Sequence, residues 1–372
     1  QGNATAIGRD AQATSTNAIA VGLFSKASGN VAVAIGMNST ALANESMAIG
    51  AYANASENNG LALGTGAQAI AINAMALGTD SYASTLDAFA AGLKARATGT
   101  DSMALGMSSN ASNTNAFSAG SCANALGINS LAYGTQAYAN ASNSMATGTR
   151  ANATGEDAIA AGVCALADQL GALAFGGYAQ ATGINSTAIG ASTNATATRA
   201  TAIGTSAIAN GVNALALGEN SQATQRDAFA AGSGARALGN GSTALGELAI
   251  ASANNASALG TKANASGINA IAIGTQTLAN SIDAFAGGFK ACALAKSAMA
   301  LGSNSNASGI DSFAGGFQAN ASGASSLALG VNTTATKARA YAAGFNASAT
   351  AIQAMALGAD ASASNLSAYA AG

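Results

Sequence analysis

The side chains that could carry chemistry are few, and their types exclude most active sites. The chain of 372 residues has no histidine, which removes the usual general bases, catalytic triads and zinc sites. Carboxylates are sparse, and calcium-binding β-rolls need an aspartate in nearly every repeat beside glycines, a pattern that is missing here. We therefore predict that the protein is not an enzyme, holds no metal and uses no cofactor. Six aspartates are separated by multiples of 14 residues, and we interpret them as turn residues that cap their own backbone: Asp87, Asp101, Asp157, Asp227, Asp283 and Asp311.

The three cysteines follow the same spacing. Cys122 and Cys164 are three 14-residue repeats apart, and Cys292 falls two places later in its own repeat. Strands three coils apart are separated by ~14 Å, whereas a disulfide requires Cα atoms within about 7 Å. We expect free thiols on the solvent side.

Asparagine is the remaining residue with a recognisable chemistry, because N-x-S/T sequences can accept a glycan. The chain has 17 such sequences, which is more than chance would give. Most of this excess follows from the repeat itself, because Ser or Thr usually lies two residues after the tenth residue of each 14-residue repeat, where seven of these asparagines occur. The candidate glycosylation sites are those where we expect the asparagine to face outward, at Asn54, Asn110, Asn152, Asn194, Asn264, Asn306 and Asn320.

All of these residues belong to one repeat. From Asn3 the sequence reads as 26 consecutive 14-residue repeats and six residues of a 27th, without an insertion or deletion. Within each repeat, numbered here as places 1 to 14, place 6 is always Gly and place 11 is always Ala. We predict a single continuous array over residues 1–372, cut from a longer chain, with no internal domain boundary. Turn glycines at place 6 include Gly8, Gly22, Gly36, Gly274, Gly288 and Gly302.

The repeat predicts an all-β fold. A helical repeat needs more than about 30 residues, and the fixed glycine also disfavours helix. Apolar residues alternate with period two at places 3 and 5 and again at 9 and 11, which is typical of strands. Two short strands and two tight turns per repeat predict a parallel β-solenoid.

Volumes at places 3 and 5 compensate each other, because a large residue at one place accompanies a small one at the other. We interpret the two places as a shared core of fixed volume. The proposed core pairs include Phe89 with Ala91, Phe285 with Gly287, Phe313 with Gly315 and Tyr341 with Ala343. The small residues at places 2 and 4 then form an outer ribbon, which we predict to be the oligomer face; examples are Ala270, Ala272, Ala284 and Ala286.

The runs "NAIAIG", "NSTAIG" and "NALALG", followed by xxAxA, then Ser or Thr, then Gly, resemble the head repeats of trimeric autotransporter adhesins. These adhesins are surface proteins of Gram-negative bacteria. The resemblance covers the whole chain and implies a left-handed parallel β-roll, with three chains in one rod. It also implies secretion, an outer-membrane anchor elsewhere, and adhesion to host matrix or other cells.

The composition limits the kinds of partner that the chain can bind. Only 8% of residues are charged and the formal net charge is −2, which excludes a basic nucleic-acid surface. No stretch approaches the roughly 18 apolar residues of a membrane-spanning helix. We predict an extracellular or cell-surface location and a structural, adhesive role, with the chain itself as partner and a matrix or cell-surface ligand. The alternative is a self-assembling extracellular, viral or phage filament with glycans on surface asparagines.

Overall fold

A computed structural model describes residues 2–372, and its contacts divide the chain into two compact units, one up to Asn185 and one from Ser186 to Gly372. Each unit is a parallel β-solenoid with two strands in every 14-residue coil, and residues 2–372 contain no helix. The predicted fold class is confirmed. Within each unit the 14-residue period continues without a break; the single array over 1–372 stays a prediction.

Strand bounds recur with the period of the sequence. Sheet A holds three-residue strands at places 3 to 5, beginning with Thr5–Ile7 and Ile19–Val21 in the N-terminal unit and with Thr187–Ile189 in the C-terminal unit. Sheet B holds two-residue strands at places 10 and 11, beginning with Gln12–Ala13 and with Asn194–Ala195. Each later strand lies 14 residues further on, to Tyr369–Ala371 in sheet A and Ser362–Ala363 in sheet B.

Pairing is parallel and in register, so that every residue lies beside its counterpart in the next coil. Ala20, for example, pairs with Ala34, and Ala69 pairs with Ala83. Backbone hydrogen bonds join the coils, as where Ile19 N–H donates to the Ala32 carbonyl at 2.9 Å. Places with the same number therefore stack into continuous columns within each unit.

Two tight turns close each coil. In the first turn, the place 9 N–H donates to the place 6 carbonyl, as from Ala11 to Gly8 at 3.3 Å. In the second turn, the place 2 N–H donates to the place 13 carbonyl, as from Ala18 to Ser15 at 3.2 Å. The third residue of each turn has a positive φ, 59° at Asp10 and 55° at Asn17, which explains the frequent Asn, Asp and Gly there.

The place 6 glycines have φ values far from those that other residues adopt. Values are 127° at Gly8, 133° at Gly22, 132° at Gly36, 120° at Gly274, 128° at Gly288 and 127° at Gly302. A Cβ on any of them would also collide with the carbonyl of the next place 6 glycine, as at Gly22, where Gly36 O would lie 2.5 Å away. Backbone conformation and coil stacking therefore both require glycine.

The core consists of the small residues, which corrects the predicted orientation of the strands. Places 2, 4, 9 and 11 point inward, and the predicted oligomer face Ala270, Ala272, Ala284 and Ala286 is 0–1% exposed within its own chain. A 14-residue coil with two tight turns brings its sheets close together, so four alanine-sized side chains fill the space between them. Several inward serines bond to their own turn, as where Ser39 Oγ donates to the Gly36 carbonyl at 2.9 Å, whereas Oγ of Ser118, Ser312 and Ser326 is buried without a partner.

The predicted core pairs lie on the outer face of sheet A instead. Phe89, Ala91, Phe285, Gly287, Phe313, Gly315, Tyr341 and Ala343 are all partly exposed. The pairing of a large residue at place 3 with a small one at place 5 still has a steric cause. A Cβ on Gly287 would lie 3.2 Å from Phe285 Cε1 and 3.0 Å from Leu301 Cδ2. The ring therefore lies over its small neighbour along the surface of the sheet and does not enter a shared core.

Val31 is a poor residue for its turn, and its replacement tests the role of that turn. Its φ is 57°, in the left-handed region that a β-branched side chain rarely adopts. We expect Val31→Asn to raise the free energy of unfolding by about 1 kcal/mol, because asparagine tolerates this conformation. Thermal and urea denaturation measure the change. Val33→Asn on the adjacent strand is the control. A denaturation midpoint for Val31→Asn equal to or lower than that of the parent chain would contradict this account of the turn.

Candidate functional site

The candidate functional site is a surface, the outer face of sheet A formed by places 3 and 5. Large apolar side chains occupy these places in most coils, and none of them is buried in the chain. Ile35, Ile189, Ile203 and Ile273 are each 38–40% exposed although they lie in regular strands. Sequence reasoning found these residues but assigned them to the core, because period-two alternation does not show which face points inward.

The outer face of sheet B differs in chemistry. Its place 10 residues are mainly polar, and basic side chains lie beside aromatic ones, as where the Arg96 guanidinium lies 5.0 Å from the centre of the Tyr82 ring. The same column also includes Ile208, Ile250 and Leu278. Each coil therefore presents an apolar face on one side and a mostly polar face on the other.

The asparagines predicted to carry glycans all lie on this outer face of sheet B and are half-buried there: Asn54, Asn110, Asn152, Asn194, Asn264, Asn306 and Asn320. Oδ1 of Asn152, Asn194, Asn264 and Asn306 is covered and accepts no hydrogen bond. Asn306 Nδ2 donates to Asn320 Oδ1 of the next coil at 3.3 Å. The glycosylation of these asparagines stays a prediction.

Four of the six place 1 aspartates accept hydrogen bonds from the coil before them: Asp87, Asp157, Asp227 and Asp283. Asn59 Nδ2 donates to Asn73 Oδ1 at 2.9 Å, and Asn73 Nδ2 donates to Asp87 Oδ1 at 2.8 Å. Similar side-chain ladders reach Asp157, Asp227 and Asp283. A carboxylate cannot donate the next bond, so each ladder ends at its aspartate. These side chains join coils, and the described residues contain no cluster of three or more potential metal ligands.

The three cysteines are free and half-buried. Burial raises the pKa of the Cys292 thiol, which lowers its thiolate fraction and hence its nucleophilicity. This environment is the opposite of the one that activates a catalytic cysteine.

The surface of the described residues has shallow depressions. One, of about 380 Å³, is lined by Glu57, Ile70, Ala71, Ile72 and Leu86 at the turn of places 12 to 14. Another, of about 450 Å³, lies on the outer face of sheet A beside Tyr133 and Gly120. Within residues 2–372 no helix has the length and apolarity to cross a membrane.

A β-solenoid of 14-residue coils, with an apolar outer face along one sheet, defines the class of repetitive β-solenoid proteins. Comparison with protein families identifies which one: a model described as "YadA head domain repeat (2 copies)" matches the chain from end to end, and the chain belongs to this family. The matched residues are 2–25, 13–39, 41–67, 69–95, 97–121, 125–151, 153–179, 181–207, 209–235, 237–263, 265–291, 293–319, 321–347, 335–361 and 349–366. A comparison with curated proteins found no significant match.

Proposed function

We propose that the chain is a non-enzymatic adhesive element of the cell surface, which assembles with copies of itself into a homotrimeric head. Membership of the head-repeat family supports this role, and the number three follows from the resemblance to trimeric autotransporter adhesins. Assembly covers the outer face of sheet A. The outer face of sheet B then meets the environment and binds a matrix or cell-surface ligand.

The observation that carries the proposal is the apolar outer face of sheet A. An exposed apolar patch larger than a few hundred Å² is rare on a monomeric soluble protein and typically marks an interface. Here half-exposed Ile, Leu, Met, Phe and Tyr side chains recur along each unit. Leaving this face in water forgoes about 25 cal/mol for every Å² that association would bury. Association with another copy supplies an equally apolar surface.

Two isoleucines of one coil provide the test. Ile203 lies on the outer face of sheet A, and Ile208 lies on the outer face of sheet B. We expect Ile203→Lys to weaken assembly at least about tenfold, because the interface would bury an unpaired ammonium group. Ile208→Lys should assemble like the parent chain. Light scattering after size exclusion measures the mass, for which a trimer gives three times 35.1 kDa.

The outcomes separate the alternatives. A monomeric parent chain would show that sheet A faces water and would overturn the proposal. A broad polymeric mass distribution would favour the filament. Equal effects of the two lysines would show that sheet A is not the specific interface.

A further inference from the structure

Charges in the N-terminal unit are segregated between the two turns of the coil. Every Lys and Arg up to Asn185 lies on the side of the glycine turn: Arg9, Lys94 and Arg150 at places 7 and 8, here called the glycine-turn edge, and Lys26 and Arg96 at place 10 on the adjoining outer face of sheet B. Places 12, 13, 14 and 1, here called the asparagine-turn edge, carry no Lys or Arg there and seven acidic residues: Glu45, Glu57, Asp87, Asp101, Glu156, Asp157 and Asp168. The glycine-turn edge has only two carboxylates, Asp10 and Asp80, and Asp10 already lies 3.5 Å from Arg9.

Both edges also carry exposed aliphatic side chains. Place 7 on the glycine-turn edge presents Met37, Leu93, Met107 and Val163, each 39–50% exposed. Place 14 on the asparagine-turn edge presents Ile72, Leu86, Ile128, Leu170 and Ile184, each 42–48% exposed. The depression beside Ile72 and Leu86, which Glu57 also lines, offers space for an apolar side chain. The two edges are thus similar in apolar character and opposite in charge.

We propose that copies of the chain join edge to edge, with the glycine-turn edge of one N-terminal unit against the asparagine-turn edge of the next. This inference rests on the proposed self-association through sheet A. When several copies turn sheet A toward a common axis, the two edges of each copy face different neighbours. Such head-to-tail contacts generate a closed ring when the rotation from copy to copy closes, as it does around a common axis. A two-fold pairing of asparagine-turn edges would instead bring seven carboxylates against seven others.

In two coils, opposite charges also occur at the same level of the solenoid. The coil of residues 87–100 carries Lys94 on one edge and Asp87 on the other. The coil of residues 143–156 carries Arg150 and Glu156, with Asp157 starting the next coil. Copies aligned coil by coil therefore bring opposite charges together. None of these residues forms an ion pair within its own chain in residues 2–372.

Arg150 and Glu156 allow a charge-reversal cycle, because both are exposed and neither belongs to an asparagine ladder. We expect Arg150→Glu and Glu156→Arg each to weaken assembly about tenfold, since every contact in the ring then holds like charges. The double variant should recover the affinity of the parent chain. Its two residues lie on opposite turns of the coil, so recovery reports a contact between copies. Mass as a function of concentration, at low salt and at 1 M salt, gives the dissociation constants.

A matched lysine in the C-terminal unit serves as the control. Lys262 is also exposed at place 8, but the asparagine-turn edge at its level carries Asn255 and Ile268 and no acidic residue. Lys262→Glu should leave the dissociation constant unchanged. Single reversals without effect on a chain that still assembles would overturn the edge pairing and leave the sheet A interface standing. A double variant that stays as weak as the single ones would also overturn it.

Cross-linking gives an independent test that does not rely on affinity. Cys122 lies at place 8 on the glycine-turn edge, and Ile128 lies at place 14 of the same coil. In a background with Cys164→Ser and Cys292→Ser, we expect Ile128→Cys and a short bismaleimide to yield covalent trimers, in which Cys122 of each copy is linked to the introduced thiol of the next. The same background without Ile128→Cys should yield none. Covalent dimers linked only through the introduced thiols would contradict the head-to-tail contact.

Discussion

Replacing Gly148 by alanine is expected to lower the free energy of unfolding by about 3 kcal/mol or more. Its φ is 126°, where an L-residue is strained, and a Cβ would lie 2.6 Å from the carbonyl oxygen of Gly162 in the next coil. Backbone strain alone costs about 1–3 kcal/mol, and the backbone of the next coil cannot move away without breaking its own ladder. Thermal denaturation, together with hydrogen exchange of the coils around Gly148, measures the loss.

A second glycine provides the matched control. Gly177 follows Gly176 at the corresponding turn, but it has no left-handed φ, and the nearest atom to an added Cβ is Val163 O at 3.9 Å. Gly177→Ala is therefore expected to be neutral or to stabilise by about 0.5 kcal/mol through the unfolded chain. Equal destabilisation by the two alanines would contradict the argument that stacking of place 6 glycines requires the invariant residue.

Sequence alone predicts most of this architecture because the repeat makes each signal occur many times. The period gives the coil length, the invariant place 6 glycine marks one turn, and frequent Asn or Asp at place 1 marks the other. The structure places strands at places 3 to 5 and 10 to 11, where the alternation indicates them. The turn residues and the alternation in the strands reflect local backbone preferences, so a single repeat is enough to show them.

The direction of each face could not be predicted in the same way. Large and small residues alternate along both strands, so the pattern is equally consistent with Phe285 inside and Ala286 outside or the reverse. The usual preference for large apolar residues in a core favours the wrong choice here. What decides is the distance between the two sheets, which two tight turns make too short for rings. Because Phe285 points outward, it indicates an interface with a partner. The exposed aliphatic side chains at the edges of the coil indicate contacts with a partner for the same reason.

The asparagine ladders add a feature that no single repeat reveals. Whether a ladder continues depends on the residues of successive coils: Asn115, Asn129 and Asn143 donate in one direction until Asp157 ends the series. Place 1 in the following coil is Gly171, which has no side chain to continue it. Stacked amides of this kind stabilise in-register parallel strands. The same columns bring carboxylates onto the asparagine-turn edge, so one set of residues stabilises the solenoid and also sets the charge of its edge.

Exchanging neighbouring residues of one strand for arginine tests the corrected orientation most directly. Ala272 is fully buried and stacks between Ala258 and Ala286, so Ala272→Arg should cost about 5 kcal/mol or more and unfold its coil. Ile271 points outward from the same strand, so Ile271→Arg should keep the strand and weaken only association. Circular dichroism and hydrogen exchange report the coil, and light scattering reports assembly. An Ala272→Arg chain that stays folded but dissociates would restore the small residues as the interface. If Ala272→Arg loses its structure and Ile271→Arg loses only assembly, the strand has two separate functions. One face packs in the core, and the other recognises another copy of the chain.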